Sequence, residues 1–147
     1  MKKAIIILLS AVLVFAVVSC RSSVARDVDE DNGMKGSYHN YEYSIGTDGL
    51  EMNFVIEGNP TTGFQWTLLT NDDSFETVSS DYLPNSNPEM MVGVGGHYKF
   101  VIDFKTAGEH QLDFAYMRPW DPKDSPLYLS MKVTVKGNAI TDVSIVE

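Results

Sequence analysis

Three short segments hold the residues best suited to specific contacts: Asn59-Pro60-Thr61-Thr62-Gly63, Gly93-Val94-Gly95-Gly96 and Arg118-Pro119-Trp120. In the first, Pro60 fixes φ, two β-branched threonines restrict χ1, and Gly63 permits a backbone angle that other residues resist. The segment is therefore stiff, which suits either a plain rigid turn or a preformed contact loop. In the second, the scarcity of side chains lets the backbone approach another surface closely, although an ordinary loop would have the same composition. A phosphate cradle would need a following Lys-Ser/Thr and a helical pattern, and neither is present. In the third, Arg and Trp are the types most enriched at binding hot spots. A Trp folded over the edge of the domain is the alternative there.

The inventory for catalysis is poor. Cys20 is the sole cysteine and lies in the leader, and no G-x-S-x-G elbow occurs, so no activated nucleophile is available. A zinc site would have to combine His39, His97 and His110 with a carboxylate. The patterning of the chain puts His97 and His110 on solvent faces of different strands, which predicts ordinary surface histidines. Asp72-Asp73 and Asp121/Asp124 lack calcium-loop spacing. Neither an enzyme nor a metal or cofactor is expected. Twenty acidic residues against eleven basic ones give a formal charge of −9 with no Lys/Arg run, which excludes nucleic acid as a natural partner.

The elements that must position the three segments have a period of two. Leu50, Met52, Phe54 and Ile56 alternate with polar or smaller neighbours, as do Tyr98, Phe100, Ile102 and Phe104, then Leu112, Phe114 and Tyr116, then Leu127, Leu129, Met131, Val133 and Val135. Weaker strand patterns run from Tyr38 to Ile45, Phe64 to Leu69, Phe75 to Leu83 and Ala139 to Val146. No window sustains a helical period, and turn residues recur at Thr47-Asp48-Gly49, Ala107-Gly108 and Lys136-Gly137-Asn138. Seven to eight antiparallel strands in one domain predict an all-β, immunoglobulin-like sandwich. Counted from Tyr38, the three segments are the second, fourth and sixth connections. Alternate connections of a sandwich gather at one end, so all three are expected to form one surface.

The first twenty residues read as an address. Lys2 and Lys3 precede an apolar run from Ala4 to Val18, too short for a spanning helix of about 20 residues and well suited to an export signal. Val17-Val18-Ser19-Cys20 is a loose lipobox, which would lipidate Cys20. Ser23-Val24-Ala25 is an alternative site for ordinary signal peptidase, which would release a soluble protein. Cleavage before Cys20 removes Lys2 and Lys3 and takes the formal charge from −9 to −11. Residues 21–36, with Asp27, Asp29, Glu30 and Asp31, read as a solvated acidic tether, leaving 37–147 as the folded domain.

Taken together and in this order, Asn59 to Gly63, Gly93 to Gly96 and Arg118 to Trp120 on an all-β chain resemble the three loops of the chagasin family, protein inhibitors of papain-like cysteine peptidases. The resemblance covers roughly Tyr38 to Val135. It implies an immunoglobulin-like sandwich whose three loops enter the peptidase cleft as a wedge, in a reversible, competitive 1:1 complex of a monomeric inhibitor. Thr61 and Thr62 would sit at the catalytic Cys/His pair, Gly93 to Gly96 along one side of the cleft, and Arg118, Pro119 and Trp120 along the other, with Trp120 against an aromatic of the enzyme. His97, directly after the glycines, departs from the pattern, as does the long extension Asp121 to Pro126; a histidine at the contact would make affinity pH-dependent. The rival from another class is an immunoglobulin-like module that binds glycan or protein through Trp120 without inhibiting a peptidase.

Overall fold

Inward-facing apolar residues at alternate positions can be buried only if two sheets face each other, and this is the arrangement found. The computed structural model describes residues 33–86 and 92–146. In chain order the strands are β1 (Met34–Tyr38), β2 (Tyr41–Asp48), β3 (Glu51–Gly58), β4 (Gln65–Leu68), β5 (Phe75–Pro84), β6 (Gly96–Phe104), β7 (Gly108–Met117), β8 (Leu127–Lys136) and β9 (Ala139–Val146). A five-stranded sheet has the order β1-β2-β3-β6-β5, and a four-stranded sheet has the order β4-β7-β8-β9. Every pairing is antiparallel. The fold is an immunoglobulin-like sandwich, as the patterning predicts.

The core lies between the sheets. Met52, Phe54 and Ile56 of β3 and Phe100, Ile102 and Phe104 of β6 meet Leu112 and Phe114 of β7 and Leu129, Met131, Val133 and Val135 of β8, all essentially without exposure. The sheets are joined at their centre by aromatic rings, with Phe114 lying 4.9 Å from Phe54 and 5.1 Å from Phe100 between centroids. Each fully buried side chain of this size contributes about 1.5–3 kcal/mol. At the far end from the three loops, Ile140 donates its backbone N–H to Gly49 O across the sandwich at 2.8 Å.

The structure corrects the sequence reading in three places. First, the segment read as one strand from Tyr38 to Ile45 is the turn and second arm of a hairpin. Tyr38 pairs with Tyr41, and His39 takes a left-handed φ of 53° so that the chain reverses over His39 and Asn40. Second, the strand before that turn starts at Met34, inside the span 21–36 read as tether. Among the described residues there are nine strands rather than seven or eight, and counted from Met34 the three loops become the third, fifth and seventh connections. Third, His110 is on the inward phase of β7 with Leu112 and Phe114. Its ring lies 4.9 Å from Phe104, and its nitrogens are 3.0 Å from Ser74 Oγ and 2.9 Å from Thr106 O. The segment read as an export signal, Cys20 and residues 21–32 lie outside the described residues.

Gly96 opens β6 between Gly58 and Pro84, and it is buried. A Cβ there would collide with Leu83 O and approach Tyr82 Oη to 2.6 Å. Its glycine is required by packing, so Gly96→Ala is expected to cost about 1–3 kcal/mol, the range for overpacking. Thermal denaturation would check this, the expected fall in Tm being several degrees at about 4–8 °C per kcal/mol for a domain of this size.

Candidate functional site

The first loop is a capped 3₁₀ turn. Asn59 leaves β3 with extended backbone, Pro60–Thr62 make the turn, and Gly63 ends it at φ 84°. Asn59 Oδ1 accepts from Thr61 N at 3.1 Å and from Thr61 Oγ1 at 2.6 Å. Thr62 Oγ1 donates to Asn59 O at 2.8 Å, and Gly63 N donates to Pro60 O at 2.9 Å. Proline at the first turn position and an Asn cap therefore select one conformation, in which both threonines are exposed at the tip.

The second loop joins β5 to β6, and its described part runs alongside the first. Asn59 Nδ2 donates to Gly93 O at 2.9 Å, where Gly93 has φ 81°. Gly95 passes so close that a Cβ on it would stand 3.1 Å from Gly58 O. Val94 and Gly95 are half-buried, while Gly96 is already strand. The four glycine-segment residues grouped by sequence thus divide: Gly93 shapes the loop, Val94 and Gly95 line it, and Gly96 serves the fold.

The third loop turns back immediately. Asp121 N donates to Arg118 O at 3.0 Å, closing a turn over Pro119 and Trp120. Trp120 remains 72% exposed, yet its indole rests on the first loop, because a Cβ at Gly63 would stand 2.8 Å from its ring. Arg118 is directed inwards. Its guanidinium pairs with Asp124, donates to Thr62 O at 3.4 Å, and lies 4.5 Å above the Phe64 ring. Asp124 belongs to the extension of the loop, so that extension has a definite task in holding Arg118.

The structure thus brings together at one end Asn59, Pro60, Thr61, Thr62, Gly63, Gly93, Val94, Gly95, Arg118, Pro119 and Trp120. His97 pairs in register with Glu57 and joins Lys35, Glu42 and Val55 in a shallow concavity on the outer face of the five-stranded sheet. It is one residue past the loop, and its neighbours in that concavity are those of the sheet face rather than Thr61 or Trp120.

Sequence reasoning missed the layer beneath the loops. Tyr116 lies with its ring 5.2 Å from Trp66, 5.0 Å from Tyr41 and 5.5 Å from Phe64. Tyr98 and Tyr82 are 5.0 Å apart close by. Trp66 donates its indole N–H to Glu57 O at 2.9 Å. Burial, and then the neighbouring phenols of Tyr116 and Tyr82, push the Tyr98 hydroxyl up to about 12. Burial and Tyr116 raise Tyr41 as well. The signals for this layer were the in-phase positions of Tyr98 and Tyr116 and of Phe64 and Trp66, which read simply as core.

Comparison with known proteins decides the family. Residues 47–135 match the description Chagasin family peptidase inhibitor I42. This chain belongs to the chagasin family. It is therefore an inhibitor of cysteine peptidases and not an enzyme. Amoebiasin-1 of Entamoeba histolytica is 31% identical over 90 residues, covering 60% of this chain and 84% of that protein. Chagasin of Trypanosoma cruzi is 37% identical over 70 residues, covering 44% of this chain and 62% of chagasin. Among solved structures, the solution structure of amebosin superposes with a TM-score of 0.51 at 27% identity, covering 60% of this chain and 83% of that one.

The raised tyrosines of this chagasin-family chain give a signed expectation for pH. Because folding holds Tyr98 and Tyr41 protonated above their ordinary pKa of about 10, their contribution is complete below pH 10. It is lost as pH rises above that, for Tyr98 towards about 12. Denaturant midpoints measured from pH 9 to 12 should fall steeply at the alkaline end. Tyr98→Phe should have a shallower fall, and an equal slope would show that Tyr98 contributes nothing to it.

Proposed function

We propose that the three loops form a preformed wedge that enters the cleft of papain-like cysteine peptidases and inhibits them reversibly and competitively, as a monomer binding 1:1. In this reading Thr61 and Thr62 occupy the region of the catalytic Cys/His pair. Gly93 to Gly95 run along one wall, and Pro119 and Trp120 face the other. The observation that carries it is the mutual bracing of the loops, with Asn59 bonded to Gly93 and Trp120 seated on Gly63 while the threonines and indole stay open to solvent. Loops held in this way lose little conformational freedom on docking, and such preorganisation raises affinity at fixed contact area.

The test is titration of active papain with the purified protein, following hydrolysis of a small fluorogenic substrate. Tight inhibition relieved by excess substrate is expected. Trp120→Ala should raise Kd roughly 30-fold or more, the loss of about 2 kcal/mol that defines a hot spot. Thr61→Ala should weaken inhibition as well, since it removes a cap partner and a tip hydroxyl. Absence of inhibition of papain and of a small panel of related peptidases by the folded protein would overturn the reading.

We propose also that the protein is exported, on the strength of Lys2, Lys3 and the apolar run from Ala4 to Val18. Intact mass of the protein from its producing cells should show a mature chain that starts at Cys20 with added lipid, tethered to a membrane, or after Ala25 without it. A chain that keeps residues 1–19 would refute export by this signal.

A further inference from the structure

The chain leaves the five-stranded sheet at the pair Gly58 and Gly96, so the backbone of Asn59 loses its ladder partners at the point where the first loop begins. A backbone N–H left unpaired in a half-buried position is costly. Here the vacancy is filled from the other sheet. Tyr116, near the end of β7 and only 6% exposed, accepts from Asn59 N at 3.0 Å and donates to Asn59 O at 3.2 Å. One phenol therefore satisfies both backbone groups of the residue whose side chain caps the Thr61 turn and bonds Gly93.

We propose that the Tyr116 hydroxyl is a positioning residue for inhibition: it fixes the base of the first loop across the sandwich, and through Asn59 it fixes the second loop as well. Tyr116 reaches no surface a peptidase could touch, so its effect is exerted entirely through Asn59. Its ring cannot slide, since Trp66, Tyr41 and Phe64 enclose it. The oxygen is thereby held at a constant height beneath Asn59. Removal of that oxygen leaves the packing in place but frees Asn59 N, which has no other hydrogen-bond partner among the described residues. Asn59 O keeps its bonds from Thr62. The loop should then exchange between the braced conformation and others without unfolding of the domain.

The inference rests on the proposed inhibition for its affinity arm, while its other arm is read on the free protein. Amide hydrogen exchange in the wild type should show Asn59 N protected like the β3 and β6 amides, although Asn59 lies outside the ladder. In Tyr116→Phe, exchange at Asn59, Thr61, Thr62 and Gly63 should accelerate at least tenfold, with β7 and β8 unchanged. With papain, Tyr116→Phe should raise Kd about tenfold, chiefly through koff, and this loss should shrink when Thr61→Ala is already present. Val133→Ala, a core truncation beside His110 at the far end, should lower Tm yet leave both loop exchange and Kd unchanged. An unprotected Asn59 amide in the wild type, or unchanged loop exchange in folded Tyr116→Phe, would overturn the proposal whatever papain does. Equal effects of Val133→Ala would also overturn it, by showing a general loss of stability. A wild type with the expected exchange that does not inhibit would instead sink the inhibitory reading alone.

Discussion

The aromatic contact between the sheets, Phe114 against Phe54 and Phe100, is the interaction on which the remainder of the molecule depends. It fixes the separation and lateral register of two sheets that share few backbone hydrogen bonds. With that register set, the ends of β3, β6 and β7 fall at the same height, and the loops that follow or precede them are compelled to meet. The gathering of the three loops at one end is a consequence of where the strands stop. Gly58 and Gly96 end the pairing of β3 with β6, and Gln65 pairs with Met117 one residue before Arg118 turns the chain away.

At that height the interior changes character. Below it the core is aliphatic and phenylalanine; at it stand Tyr41, Tyr82, Tyr98, Tyr116 and Trp66, each with an apolar ring and a polar handle. Such side chains suit the boundary between a dry core and a loop layer whose backbone has left the ladder, because they pack on one side and hydrogen-bond on the other. Trp66 serves Glu57 O and Tyr116 serves Asn59. The loops gain fixed positions without a disulfide, which a chain with a single cysteine, Cys20, could not form within itself.

The legible part of the fold was the part governed by a single rule. β3, β6, β7 and β8 alternate strictly because one face of each is buried against the other sheet, and a period of two is visible in residue types. The hairpin of β1 and β2 was not legible. Its turn uses His39 at positive φ, where glycine would have announced it, and β1 has mostly exposed residues and hence no apolar period. The loops were legible as motifs but not in their division of labour. Nothing in the letters distinguishes Gly96, excluded from bearing a side chain by Leu83 O, from Gly93, which shapes a turn. Arg118 reads as an exposed hot-spot residue until Asp124, six residues on, is seen to draw it over Phe64.

That division matters for how the contact surface can vary. At the tip, Pro119 and Trp120 are free of internal obligations, apart from the seat of the indole on Gly63, and can answer to a partner, whereas Thr61 and Thr62 are exposed yet bonded to Asn59 through their hydroxyls. Asn59, Gly63, Gly95, Gly96 and Arg118 are bound by internal geometry: a cap, a left-handed angle under an indole, a close backbone pass, a packed strand start and an ion pair. A substitution in the first group alters what is presented. A substitution in the second alters whether anything is presented in one conformation at all, and thereby the entropy lost on docking rather than the contacts made. Two residues adjacent in sequence, such as Gly95 and Val94 or Arg118 and Pro119, can therefore affect the same affinity for unrelated physical reasons.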